Sequence, residues 1–333
     1  MGASKSRILD RWSKFDGRSE GRIIDKTKRC RRSFPVAVGP HRRGSSTPLV
    51  PTRRAFLGAT TAALTISRAS ILQAAQPFRF GLTPVFLSSD LELIEALQRY
   101  LSAAMRTEVQ LVLKRTYQEI TSQLVSGLLD AAWICGFPYI AYRRELEIVA
   151  VPIWRGRMTY QSYLIVSAGR EASVIDDLRG DIHAFSDPDS NSGYLVTRAL
   201  LAERAIKPPD FFKRTFFTYG HRNVVRAVAA GLAQSGSVDG YVWEVMTETE
   251  AELTRQTMPA WRSDWMGFPP IATAGNNAAS EGITKLRKAL LEMPLDSVGR
   301  DVLSLLRLDG FAKGEPSLFD GIARQVDLVR ATG

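Results

Sequence analysis

The chain has 333 residues, 45% of them apolar and 23% charged, which excludes a wholly disordered, collagenous or coiled-coil protein and points to about two domains. A formal charge of +10 would by itself suggest a nucleic-acid or anionic-membrane partner. The excess is local, however: residues 1–76 hold 16 Lys+Arg against 4 Asp+Glu, and the other 257 hold 28 against 30, so the body of the chain has no case as a nucleic-acid binder.

Residues 1–76 read as a basic export leader. Thr52-Arg53-Arg54-Ala55-Phe56-Leu57-Gly58 is similar to the twin-arginine export motif, and the apolar run from Ala55 to Ile66 follows it. Twelve residues are too few to span a bilayer, which needs about 20. Small residues from Ala69 to Ala75 then place a cleavage near Gln76. The alternative is an internal amphipathic helix behind a basic tail. Cys30 falls in the leader, so the exported chain keeps Cys135 alone and forms no internal disulfide. Cys135 lies in the apolar run 131–135 and is expected to be a buried, inert thiol.

Beyond residue 76, strands and helices alternate. Strands are expected at Phe78–Leu82, Val109–Leu113, Ala131–Ile134 and Glu147–Ile153, with helices at Leu91–Ala104, Gln118–Leu128 and Pro138–Arg144 between them. A long β-like run from Tyr160 to Ser167 serves as a crossover. The order then restarts: strands Asp181–Phe185, Arg214–Thr218 and Val238–Val242 alternate with helices Tyr194–Arg204, Val224–Leu232 and Val245–Arg255. A return segment, Pro259–Ala274, leads to helices at Gly282–Leu291, Leu295–Leu306 and Pro316–Val329, with no strand after the return. Strand-helix alternation implies parallel sheets covered by helices. Its repetition implies an α/β protein of two lobes: residues 77–163 with 268–333 form a discontinuous first lobe and 164–267 a second. Two hinge crossings are expected, near Gln161–Leu164 and Met266–Pro269, with a ligand cleft between the carboxyl ends of the two sheets.

The loops facing that cleft carry the candidate site. Ser190, Asn191, Ser192 and Gly193 open a helix, so hydroxyls and free backbone N–H groups converge where the helix dipole favours an anion. The same turn also reads as an ordinary N-cap. Hydrogen bonds to a charged group contribute about 1.5–3 kcal/mol each, so a few reach the scale of micromolar binding, about 8 kcal/mol. His221 follows Gly220 where a strand becomes a helix, and is one of two histidines after residue 76. Glu244, expected just past a strand, would act as an acceptor that admits a protonated phosphorus oxyanion and repels sulfate. Tyr117 and Tyr139 of the first lobe offer hydroxyls and an aromatic wall.

Gly81-Leu82-Thr83-Pro84, the Tyr117-Gln118 helix ending in Val125-Ser126-Gly127, Ser190-Asn191-Ser192-Gly193-Tyr194, Gly220-His221, Val238-Asp239-Gly240 and Leu308-Asp309-Gly310-Phe311 occur in an order that resembles the phosphate/phosphite/phosphonate substrate-binding proteins of ABC transporters. The resemblance spans most of residues 78–325. It implies a type II periplasmic-binding-protein fold that closes on a small oxyanion and delivers it to a membrane permease. It also implies that the Ser-x-Ser-Gly turn, His221 and a first-lobe aromatic touch the anion. The sequence departs from the family pattern at Asn191, at Asp187 and Asp189, and at Trp243-Glu244. These departures favour an organophosphonate, or another anion whose organic part stacks on Trp243 or Tyr241, over compact phosphate. A sensory protein of the same fold is the alternative. Phosphate-loop, zinc-binding and nucleophile-elbow motifs are absent, so no enzyme, cofactor or metal is expected. The protein is read as a periplasmic monomer without a lipid anchor.

Overall fold

The computed structural model describes residues 76–85 and 90–332. The twin-arginine motif and the apolar run after it lie outside the described residues. Strands β1 (Phe78–Leu82), β2 (Val109–Leu113), β3 (Ala131–Trp133), β4 (Leu146–Ile153), β12 (Ile271–Ala274) and β13 (Gly310–Ala312) form one six-stranded sheet in the order β13-β4-β12-β3-β1-β2. The β2-β1-β3 part is parallel, while β12 and β13 run antiparallel to β4. Strands β6 (Ser162–Ser167), β7 (Ile182–Phe185), β8 (Arg214–Phe217), β9 (Ser235–Asp239) and β10 (Thr257–Arg262) form a five-stranded sheet in the order β10-β6-β9-β7-β8. A two-stranded ribbon joins β5 (Thr159–Tyr160) to β11 (Met266–Gly267), in the two segments that run between the sheets.

Helices α1 (Leu91–Met105), α2 (Tyr117–Val125) and α3 (Gly136–Ala141) follow the first three strands. Each owes its place to local chemistry. In α1, Leu93, Ala96, Leu97, Tyr100 and Leu101 bury one stripe, the spacing of a half-buried helix. In α2, Thr116 and Glu119 make a reciprocal capping box. In the second half come α4 (Val196–Ala202), α5 (Pro208–Phe211), α6 (His221–Ala229), α7 (Gly240–Thr249) and α8 (Ala251–Thr254). Last come α9 (Glu281–Glu292), α10 (Ser297–Leu306) and α11 (Asp320–Thr332). Helices α9 and α10 pack on α1, whereas α11 packs on both α3 and α4 and so touches the helices of both sheets. Ile322, Val326 and Val329 of α11 share a buried apolar cluster with Leu195, Val196 and Ala199.

Two expectations need correction. A strand does follow the return segment: β13 adds to the edge of β4. Three residues starting on Gly310, whose φ is 153°, are too short to show a strand period. The strand expected at Val238–Val242 ends instead at Asp239, and Gly240 already begins α7. The β-prone Val238, Tyr241 and Val242 are what mislead. The true strand carries Ser235, Gly236 and Ser237, and glycine is required there because a Cβ on Gly236 would lie 2.5 Å from Val224 Cγ1 of the overlying α6. Tertiary packing, not β-propensity, makes this segment a strand.

Candidate functional site

The carboxyl ends of both sheets turn toward a common buried cluster of polar residues. After β7 the chain makes a π-helical turn, Asn191–Leu195, with Ser190 as its N-cap and a Leu195 N–H to Ser190 carbonyl bond of 3.0 Å. Such widened turns often occur at functional sites. Ser190 Oγ accepts from Gly193 N at 3.0 Å, so the N-cap reading is correct for Ser190. Its neighbours are different: Ser186 Oγ, Asn191 Oδ1 and Ser192 Oγ are buried without a hydrogen-bond partner. Orphaned polar atoms are costly in a folded interior, and their concentration on one turn marks a place built to meet something polar.

Gly193 sets how tightly the cluster assembles. A Cβ there would fall 1.8 Å from Ser186 Oγ and 3.0 Å from His221 Cε1. His221 begins α6, and its tautomer follows from its bonds: Nδ1 accepts the Asp239 N–H at 3.0 Å, so the proton sits on Nε2, 3.2 Å from the Tyr117 hydroxyl. Burial pushes the His221 pKa down to about 3. The ring is thus a neutral donor, and its N–H leaves the Tyr117 hydroxyl proton free for another acceptor. Tyr117 is fully buried and burial holds its pKa well above the ordinary tyrosine value.

Three carboxyls join the hydroxyls. Asp239 ends β9 and caps α7, accepting from Tyr241 N at 2.9 Å and Val242 N at 3.4 Å. Burial raises its pKa to about 7, against the opposing pull of those two N–H groups and of the nearby Ser192 hydroxyl, which is close but forms no aligned hydrogen bond. Burial also raises Asp187 to about 6, and Asp189 lies well above the usual carboxylate range through burial and its neighbour Asp187. No lysine or arginine is buried among the described residues. The cluster therefore offers hydroxyls, amides and carboxyls that hold their protons unusually long, and no buried cation. Cys135 also belongs here: its sulfur accepts the Asn191 N–H at 3.2 Å, and burial pushes its thiol up to about 12. Asn191 Nδ2 donates to the Tyr160 hydroxyl at 2.9 Å. Among the described residues no group of three or more His, Cys, Asp or Glu is arranged to hold a metal ion.

Of the candidates named from sequence, Ser190, Asn191, Ser192, Gly193, His221 and Tyr117 come together. Tyr139 and Glu244 do not. Tyr139 packs its ring on Phe319 at 4.8 Å and borders a separate surface cavity with Arg143 and Glu147. Glu244 accepts from the Tyr163 hydroxyl at 3.0 Å and pairs with Arg155 at 3.3 Å, beside a cavity of about 420 Å³ that also includes Glu248 and Arg307. The misplaced strand end explains the error: with β9 ending at Asp239, Glu244 falls on the second turn of α7 and Asp239 takes the position facing the cluster. The two aromatic walls considered from sequence are engaged elsewhere. Tyr241 donates its hydroxyl to the Leu306 carbonyl at 2.5 Å, and Trp243 donates its N–H to Thr257 Oγ1 at 3.1 Å. Asp239, Ser186, Asp187 and Tyr160 also lie in the cluster; the sequence reading has Asp239 only in a family-like motif and Asp187 only as a departure from the pattern, and names none of the four as a contact. The Asp-Gly pair at 239–240 is a helix-start signal that would have found the first of them.

Residues 80–319 match the family described as the periplasmic substrate-binding protein of phosphonate ABC transporters. Among solved structures, the chain is similar to a binding-protein component of an ABC phosphonate transporter from Pseudomonas aeruginosa, with 23% identity, 77% of this chain and 88% of that one covered, and a TM-score of 0.71. It is also similar to PhnD1 from Prochlorococcus marinus in complex with methylphosphonate, with 17% identity, coverage of 75% and 97%, and a TM-score of 0.68. The alkanesulfonate-binding protein of Xanthomonas axonopodis, bound to MOPS, is similar at 16% identity, coverage of 78% and 94%, and a TM-score of 0.53. At these identities the structures speak to the fold, which is the two-lobed type II periplasmic-binding fold.

Proposed function

The chain belongs to the periplasmic substrate-binding proteins of phosphonate ABC transporters, and from that premise we propose that it captures a phosphorus oxyanion, as phosphonate, phosphite or phosphate, by closing two lobes on it for delivery to a membrane permease. The observation that carries this reading is the Ser190–Gly193 turn, with orphaned Ser186, Asn191 and Ser192 atoms, facing Tyr117 and His221. Ser192 Oγ, Ser186 Oγ and the Tyr117 hydroxyl donate to the oxyanion. Asp239 shares one proton with it, either keeping that proton as a neutral acid or, once ionised, accepting one from the ligand. An anion carrying its own proton therefore remains acceptable when Asp239 ionises, and sulfate does not.

Because the site residues are buried, entry requires the lobes, residues 77–163 with 268–333 and residues 164–267, to separate about the ribbon of β5 and β11. The protein acts as a monomer, exported by the twin-arginine motif at Arg53-Arg54. The test is calorimetric titration of the mature chain with methylphosphonate, phosphite, phosphate, sulfate and an alkanesulfonate, together with Ser192→Ala. At least one phosphorus oxyanion should bind at micromolar or better affinity and lose at least tenfold in the variant. Binding of sulfonate alone, or an unchanged affinity in Ser192→Ala, would overturn the proposal.

A further inference from the structure

The proposed function leaves two buried carboxyls of the cluster, Asp187 and Asp189, without a role, and Asp187 is the one bonded across to the other half of the molecule. Asp187 is 1% exposed, no lysine or arginine is buried with it among the described residues, and its two oxygens point to different halves of the molecule. Oδ1 accepts the Asp189 N–H at 2.8 Å, and the Asp187 carbonyl accepts the Ser190 N–H at 3.0 Å. Both bonds shape the turn that presents Ser190–Gly193. Oδ2 accepts the Tyr117 N–H at 3.3 Å. That N–H belongs to the first residue of α2, where no partner exists within the helix, and α2 follows a strand of the other sheet. Tyr117 is thus gripped from the second sheet at two points, its amide by Asp187 and its hydroxyl by His221 at 3.2 Å.

We propose that Asp187 is a positioning residue that couples the shape of the ligand-binding turn to lobe closure. Its carboxylate holds the turn through Asp189 N and, in the closed arrangement, completes its coordination on the amide of Tyr117. The turn and the first-lobe tyrosine are then set by one side chain. A ligand that orders the turn aims Oδ2 at α2, and closure onto α2 in turn fixes the turn. The inference rests on the reading of the chain as a lobe-closing binding protein, although its first test needs no ligand.

Asp187→Ser separates the two bonds. A serine hydroxyl can still accept the Asp189 N–H, as in a Ser/Thr turn, but is one atom too short to reach across to Tyr117. Asp187→Asn is the isosteric companion: with its oxygen on Asp189 N, its NH₂ faces the Tyr117 N–H donor to donor. Three quantities are read on wild type and both variants: amide exchange at Asp189 and Tyr117 by NMR, radius of gyration by solution scattering, and affinity for methylphosphonate. Exchange and scattering are recorded with and without methylphosphonate.

In the variants, protection of the Tyr117 amide should fall at least tenfold while that of Asp189 in Asp187→Ser changes less than threefold. Ligand-induced compaction should be lost or reduced, and affinity should fall at least tenfold. The proposal is overturned if the Tyr117 amide is unprotected in wild type in both conditions, or equally protected in the variants. It is also overturned if compaction and affinity are unchanged. Should Asp187→Ser fail to fold, Asp187→Asn carries the same three readouts. A wild type that ignores methylphosphonate and the other phosphorus oxyanions would overturn the ligand reading, and the exchange data would still decide the role of Asp187.

Discussion

Replacing Gly193 by alanine tests the packing of the site with one methyl group. The backbone at Gly193 is not in the left-handed region, so alanine meets no conformational penalty and the effect is steric. The added Cβ would lie 1.8 Å from Ser186 Oγ, 2.7 Å from Ser186 Cβ and 3.0 Å from His221 Cε1. Ser186 is fully buried and its N–H is held by the Gly193 carbonyl at 3.1 Å, so it has little room to yield. Overpacking of this kind costs about 1–3 kcal/mol, which for a domain of this size lowers Tm by about 2–4 °C per kcal/mol. Relief by moving Ser186 or His221 displaces groups proposed to hold the ligand, and a tenfold loss of affinity corresponds to about 1.4 kcal/mol. Thermal unfolding and methylphosphonate titration should therefore both worsen. In the double variant Gly193→Ala/Ser186→Gly the stability cost of the alanine should largely disappear, because the two closest atoms it strikes are gone and only the 3.0 Å approach to His221 Cε1 is left. If Gly193→Ala melts and binds like wild type, or if removing Ser186 does not rescue stability, the close approach of Ser186 and Gly193 is not a constraint on the site.

Three further outcomes are expected. His221→Ala should weaken phosphorus-oxyanion binding at least tenfold in calorimetry while the protein stays folded by circular dichroism; unchanged binding would remove His221 from the site. In Asp239→Asn, the preference for methylphosphonate over sulfate, which in wild type should widen as pH rises through about 7, should become insensitive to pH across that window. The same carboxyl has a folded pKa above its unfolded value, so the native state holds the proton longer. Its contribution to stability should fall as pH rises from about 4 to about 7, and denaturant titrations of Asp239→Asn should lack that component. Glu244→Gln should change the phosphonate-to-sulfate ratio less than twofold, since Glu244 pairs with the exposed Arg155 away from the cluster; the exchange should cost no more than about 1 kcal/mol. A large loss of selectivity would restore Glu244 to the site.

Much of the molecule follows from the order of its residues. The stripe Leu93, Ala96, Leu97, Leu101 can bury only one face of a helix, and the turn residues at 190–193 and 220–221 mark helix starts whatever surrounds them, so the αβ alternation and the phosphate-style loops are legible without coordinates. Local signals of this kind depend on neighbours within about four positions. The strand at Ser235–Asp239 and the edge strand at Gly310–Ala312 were beyond them, because small residues are strands there only through the partners they face. Tertiary structure alone decided that Asp239 and not Glu244 meets the cluster, that Tyr139 turns away to Phe319, and that Asp187 reaches the Tyr117 amide 70 positions earlier. A carboxylate's role depends on its burial and on which donors lie within 3 Å or so of it, and those are fixed by the meeting of two sheets, not by sequence spacing.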